Sequence, residues 1–117
     1  MTKAEARTDV HKRVDALAKQ VGTNPEKTID GPVSMDPKAP VKSYSYSVDV
    51  DVDDDAWERV RGPIAQDLRQ QGYAVREDTE DTSMRFLYED GRTLGVTVFP
   101  EDGYANVGGA TLYATDD

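Results

Sequence analysis

The segment 42–52 alternates without interruption between large apolar side chains and small or acidic ones. The apolar series is Tyr44, Tyr46, Val48, Val50 and Val52, and the intervening series is Ser43, Ser45, Ser47, Asp49 and Asp51. A period of two residues directs the two series to opposite faces of a β-strand. A strand with one buried and one solvated face is typical of an antiparallel sheet covered on one side only. The alternation therefore predicts such a sheet, with one open face.

Length and composition favour a single small globular unit. A chain of 117 residues is expected to form one domain, residues 1–117, that buries about two-thirds of the surface of its unfolded form. The sequence contains no cysteine, which excludes thiol catalysis and cysteine-ligated metals. A core of this size needs no structural metal, and we expect no cofactor.

The formal net charge of −9 is carried by the chain after residue 21. Residues 1–21 hold five Lys and Arg against three Asp and Glu. A strongly anionic domain repels nucleic acid and anionic membrane surfaces and attracts basic partners. No apolar run of the sequence approaches the roughly 20 residues of a membrane span. We therefore expect no nucleic-acid binding and no membrane-spanning segment.

Residues 3–21 are predicted to form an amphipathic helix. Thr2 and Glu5 make a capping-box pattern, and Gly22 is a natural helix terminator. The apolar stripe consists of Val10, Val14, Leu17 and Val21. It predicts a helix that packs on the sheet, with a partner-binding helix as the alternative. His11 lies beside this stripe, and we expect a solvent-facing side chain there and not a catalytic base.

Residues 22–41 are predicted to form a long proline-containing loop. The segment has little periodicity, and its four prolines are Pro25, Pro32, Pro37 and Pro40. Such a length is unusual for a connection within a compact domain. We interpret it as a passive connection or, alternatively, as a flexible recognition loop.

Residues 42–117 are predicted to form a strand, a helix and a meander. Trp57, Val60, Ile64 and Leu68 make the stripe of the helix. Gly62-Pro63 should kink or split this helix. Further strands are expected at 73–77, 84–89, 92–99 and 104–114, with a turn at Asp90-Gly91 and a bend or bulge at Gly108-Gly109.

The predicted fold class is α+β. We expect two amphipathic helices on one face of a mainly antiparallel five-stranded sheet, in the order α-β-α-β-β-β-β.

The carboxylates could bind calcium or act as a catalytic pair, but their spacing in the sequence matches neither kind of site. Asp49, Asp51 and residues 53–55 suggest calcium, but the strand alternation spreads the first two apart, and the glycine and glutamate spacing of a calcium loop is missing. Paired-carboxylate catalysis has no distinctive spacing here. One histidine and no Gly-x-Ser-x-Gly motif leave no nucleophilic triad. We therefore predict no catalytic residue, no metal site and a non-enzymatic protein.

The open face of the predicted sheet is the candidate partner surface. Alternation continued across the strands places Asp49, Asp51, Arg85, Leu87 and Phe99 on this face. Apolar side chains on an otherwise polar sheet face can mark a docking surface. The alternative is a solvated face whose charged pairs protect the sheet from edge pairing.

Several short motifs together resemble a loose class of small actinobacterial exported domains, many of them lipid-anchored lipoproteins without assigned activity. The motifs are Glu5-Ala6-Arg7, Val14-Asp15-Ala16-Leu17, Tyr46-Ser47-Val48-Asp49-Val50, Asp55-Ala56-Trp57, Gly72-Tyr73 and the glycine-punctuated hairpins through Gly109. The resemblance implies an extracytoplasmic domain tethered by a lipid on its N-terminal side. Members of that class begin after a signal peptide with a lipid-carrying cysteine, which this sequence lacks, and the resemblance supplies no catalytic residue.

We therefore expect a non-enzymatic extracytoplasmic binding or accessory domain, with an unknown protein or a cell-envelope component as its partner. The alternative is a cytosolic acidic binding module, such as an immunity-type inhibitor of a basic protein. A small-molecule carrier with a site between the sheet and the Trp57 helix is a third interpretation.

Overall fold

The computed structural model of the chain describes residues 1–33 and 41–114. The helices are α1 (Lys3–Val21), α2 (Ala56–Arg59), a π-helical turn (Val60–Ile64) and α3 (Ala65–Gln70), and the strands are β1 (Thr23–Val33), β2 (Val41–Asp51), β3 (Ala74–Asp78), β4 (Ser83–Leu87), β5 (Thr93–Phe99) and β6 (Tyr104–Ala114). Helix α1 starts with the capping box, in which the backbone N–H groups of Thr2 and Glu5 each donate to the other residue's side chain. It ends at Gly22, whose N–H donates to the Ala18 carbonyl.

The strands form one antiparallel sheet in the order β1-β2-β6-β5-β4-β3. The α+β class holds, but the predicted five strands and the predicted element order were wrong. The sheet has six strands, and the chain order is α-β-β-α-β-β-β-β.

The error arises in segment 22–41, because its first part forms β1 and not a loop. Among the described residues this strand pairs only with β2, and it is largely exposed, so no apolar alternation in its sequence predicts it. Pro25 and Pro32 are tolerated because an edge strand leaves one row of backbone groups unpaired. Residues 34–40 of the predicted loop lie outside the described part of the chain.

Residues 56–70 form the second helical layer, and Pro63 changes its geometry. The π turn Val60–Ile64 contains this proline, which has no N–H to donate to the preceding turn. The buried side chains of the layer are Ala56, Val60, Ile64, Ala65 and Leu68. Trp57, predicted on this stripe, is only half-buried at its margin.

Gly108 and Gly109 let β6 approach its neighbours closely. The strand keeps a continuous register with β2 and β5 through both residues, so the predicted bulge was wrong. A Cβ atom at Gly109 would lie 2.5 Å from the Thr93 carbonyl oxygen and 3.2 Å from Val14 Cγ2. Glycine is therefore needed at 109 because the β5 backbone and α1 both approach this position closely.

Gly109→Ala should lower the free energy of unfolding by about 1–3 kcal/mol, because backbone and helix atoms occupy the space of the added methyl group. Gly95→Ala in β5 is the matched control, since the nearest heavy atom to its added Cβ is 3.7 Å away. Urea unfolding should show a change within about 0.5 kcal/mol for the control. Equal losses in the two variants would contradict the close approach of α1.

Candidate functional site

The candidate site is the sheet face opposite the helices, called here the open face. The other face carries Tyr44, Val48, Phe86 and Val96, which share one buried core with α1 and the second helical layer. Within residues 1–33 and 41–114, both helical layers pack on that core side. The side chains that alternate with the core series therefore face solvent.

All five residues predicted for a partner surface lie on the open face. Cross-strand pairing places Asp49 opposite Asn106, Asp51 opposite Tyr104, and Phe99 opposite the same Tyr104. Arg85 pairs with Gly95, and Leu87 pairs with Thr93. Asp51, Arg85 and Phe99 are exposed, whereas Asp49 and Leu87 are half-buried.

Most of the large apolar side chains that are exposed to solvent also lie on the open face. Six large apolar side chains are exposed in the described part of the chain, and five of them lie here. These five are Ile29, Val33, Val41, Phe99 and Leu112. Only Phe99 was predicted from the sequence. Extending the alternation along β6 would have found Leu112, but Ile29 and Val33 belong to the strand that was read as a loop.

The centre of the open face is shallow because its residues are small. Ser45, Thr93, Gly95, Gly108 and Ala110 line a depression of about 370 Å³. A Cβ at Gly108 would lie 2.9 Å from Ser47 Cβ. None of the five exposed apolar side chains lines this depression. Val33, Val41 and Leu112 lie near Ser43 at one end of the face, and Phe99 lies beside Tyr104 towards the other end.

Carboxylates lie on the β1–β2 side of the open face, and the β3–β4 side carries two arginines together with Asp78, which pairs with Ser83. On the β1–β2 side, Asp49 accepts a hydrogen bond from Asn106 Nδ2 at 3.0 Å, and Asp51 accepts one from Asn24 Nδ2 at 2.9 Å. Both partners are neutral amides, so the negative charges are not cancelled. On the β3–β4 side, Arg76 and Arg85 are direct cross-strand neighbours. Among the described residues, none of these charged groups forms an ion pair.

The aromatic pair Phe99 and Tyr104 lies at the acidic end of the open face. Their rings stack with centroids 4.7 Å apart and planes inclined by 19°. This stacking holds both rings in fixed orientations beside Asp51. Aromatic side chains held in this way are typical anchors of protein interfaces.

A second polar cluster, the His11 cluster, lies on the helix side and joins α1 to β1 and β2. His11 Nε2 lies 2.8 Å from Asp30 Oδ1, and the Tyr44 hydroxyl donates to the same oxygen at 2.7 Å. The His11 ring stacks on Tyr46 at 3.8 Å, and the Tyr46 hydroxyl donates to Asp15. The predicted solvent-facing His11 was wrong, because β1 supplies Asp30 from a segment predicted as loop.

The His11 cluster acts as a clamp, in that it holds α1 against β1 and β2, and it contains no activated nucleophile. The hydrogen bond with His11 lowers the pKa of Asp30 to about 2, against the opposing effect of burial. Burial and the hydrogen bond to Asp15 raise the pKa of Tyr46 to about 12, and burial with the bond to Asp30 also raises the pKa of Tyr44. Both phenols therefore stay protonated at neutral pH. Among the residues that the structure describes, no three His, Asp or Glu side chains converge to hold a metal ion.

Asp30 should make the stability of the fold depend on pH in the acid range. Its pKa in the folded state, about 2, lies below the ordinary 3.8. The folded state therefore binds fewer protons, so this stabilisation is complete above about pH 4 and is lost as the pH falls through about 2. Unfolding free energies measured from pH 5 downward should fall less steeply for Asp30→Asn than for the wild type. Asp54→Asn, at an exposed site outside the cluster, is the control, and a wild-type slope in Asp30→Asn would contradict the clamp.

Comparison of the chain with protein-family models, curated proteins and solved structures gave no match. In the described residues, no helix has the length and apolar character to cross a membrane. The geometry of the chain itself is therefore the basis of the functional interpretation.

Proposed function

We propose that this protein is a non-enzymatic binding module that docks a partner protein on its open face. The observation that carries the proposal is the concentration of Ile29, Val33, Val41, Phe99 and Leu112 on the one sheet face that the described helices leave uncovered. Contiguous exposed apolar patches on soluble domains commonly mark interaction sites. An interface core surrounded by polar groups is the usual anatomy of such sites.

The charges on this face define the chemistry of the partner. Its surface should have apolar groups that meet the exposed apolar side chains, a basic flank that meets Asp49 and Asp51, and an acidic flank that meets Arg76 and Arg85. The net charge of −9 adds a long-range field that speeds the approach of a protein that is basic overall. Raising the ionic strength should therefore slow association more than it speeds dissociation.

The cellular setting has two candidates. An extracytoplasmic domain with a lipid anchor on its N-terminal side is supported by the resemblance to exported lipoprotein domains. A cytosolic inhibitor of a basic protein is supported by the net charge and the open-face carboxylates. The sequence of the native gene upstream of Met1 separates them. A signal peptide ending in a lipid-carrying cysteine supports the first, and translation initiated at Met1 supports the second.

Site-specific photo-cross-linking in the native organism tests the docking face. A photoreactive amino acid at Leu112 probes the open face, and the same group at Gln66, exposed on α3, is the matched control. We expect Leu112 to cross-link one protein species that Gln66 does not capture. Equal products from both positions would contradict docking on this face. A covalent dimer of the chain through Leu112 would overturn the proposal of a different partner.

A further inference from the structure

A second concave site lies in the helix layer, away from the open face. It is a cleft of about 430 Å³ between α1, the turn after α3 and the turn that joins β4 to β5. This volume lies within the range of small-molecule sites. The cleft is called here the α1 cleft.

The floor of the α1 cleft is apolar and aromatic. Leu17, Leu68 and Leu94 come from three different elements and are nearly fully buried. Tyr73 and Tyr88 form one wall, with ring centroids 5.2 Å apart in an edge-to-face arrangement. A hydrocarbon or aryl group can therefore bury its surface against this floor.

The rim of the α1 cleft is cationic although the protein as a whole is anionic. Lys12, Arg13 and Arg92 line it with one carboxylate, Asp9, and a second carboxylate, Asp90, pairs with Arg92 just outside the lining. Arg13 is fully engaged, since it donates to Asp9 and to the carbonyl oxygens of Thr93 and Ala110. The Lys12 ammonium pairs with no carboxylate in the described ranges.

Arg92 is held at the rim in a fixed position. Its Nε donates to Asp90 at 2.7 Å, and its guanidinium carbon lies 4.6 Å from the centroid of the Tyr88 ring. Its Nη1 lies 3.8 Å from Asp9, beyond good hydrogen-bond distance. A positioned guanidinium and an ammonium that line the same cleft can together bind a carboxylate.

We infer that the α1 cleft binds a small amphipathic carboxylate, an aryl or short alkyl group bearing one carboxyl. The carboxylate would lie between Lys12 and Arg92, and the apolar part would lie on the leucine and tyrosine floor. Gln20 and Gln71 also line the cleft, and the Gln71 amide donates to Asp67 Oδ2 at 2.9 Å. This inference goes beyond partner docking, because the site and its ligand class differ from those of the open face.

An NMR titration of the full chain with 4-phenylbutyrate tests the inference, and 4-phenylbutanol serves as the neutral probe of equal shape. The expected result is saturable shifts of the backbone amides of Lys12, Ala16, Gln20 and Gln71, with the carboxylate binding at least about tenfold more tightly than the alcohol. Lys12→Gln, at an exposed position, should weaken carboxylate binding about fivefold or more while leaving the melting temperature unchanged.

Arg92→Gln should weaken carboxylate binding similarly, and Lys19→Gln, outside the cleft lining, should leave it unchanged. Equal affinity for the acid and the alcohol would overturn the inference. No saturation by about 10 mM, or shifts confined to the open face, would also overturn it.

Discussion

Phe86→Ala should lower the free energy of unfolding by about 3–5 kcal/mol, the largest effect expected of any single substitution considered for this chain. Phe86 has no exposed surface and lies in β4, opposite Val75 in β3 and Leu94 in β5. Truncation removes the ring from the core and leaves a cavity that the paired strands cannot close. Chemical denaturation monitored by circular dichroism measures the loss.

The matched control is Phe99→Ala on the open face. Phe99 is 37% exposed and packs mainly on the Tyr104 ring, so its truncation should cost about 1 kcal/mol. Losses of equal size at the two phenylalanines would mean that the buried and open faces of the sheet have been assigned incorrectly.

Arg13→Ala should cost about 2–4 kcal/mol. The Arg13 side chain is 12% exposed and connects α1 to the sheet through its bonds to the Thr93 and Ala110 carbonyls, and it also pairs with Asp9, one turn earlier in α1. Partial burial opposes ionisation of Asp9, but hydrogen bonds from Thr111 and Arg13 outweigh it and hold the pKa of Asp9 below its ordinary value. Removal of Arg13 therefore leaves a partly buried carboxylate with only the more distant Arg92 as a cation partner.

Arg69→Ala, an arginine truncation at an exposed position of α3, is the control for Arg13 and should change the unfolding free energy by less than about 0.5 kcal/mol. If Arg13→Ala also changed it by less than about 0.5 kcal/mol, the bonds from α1 to β5 and β6 would have no role in holding the layers together.

The parts of the fold that local chemistry determines could be predicted from the sequence. Thr2 and Glu5 define the start of α1 because a capping box satisfies its own backbone donors. Gly91 and Gly103 have positive φ angles, as the tight turns between strands require. The alternation in segment 42–52 determines which face of β2 enters the core, and this face is the same along the whole strand.

The features that depend on distant pairing could not be predicted. β1 is defined by its partner β2 and not by its own side chains, which are nearly all exposed. The position of His11 follows from Asp30, which β1 brings to α1. Gly109 is required by the close approach of the Thr93 carbonyl in β5 and of α1, neither of which can be read from the local pattern of β6.

The candidate surface was predictable only where the alternation of a recognised strand extended to it. Asp49, Asp51, Arg85, Leu87 and Phe99 share the open face because the pleat carries their positions across β2, β4 and β5. Ile29 and Val33 lie on the open face because they belong to β1, a strand that the sequence did not predict. The α1 cleft is formed by three segments that are far apart in the sequence, so no sequence motif predicts it.

The docking role of the open face is tested most directly by a binding titration with the partner protein. This partner is the species that cross-links through Leu112, purified for the titration. Leu112→Ser and Asp51→Asn on the open face should each weaken its affinity about tenfold or more. Asp67→Asn, the matched charge change on exposed α3, should leave the affinity unchanged. The opposite pattern, with affinity lost in Asp67→Asn and retained in both open-face variants, would contradict docking on the open face.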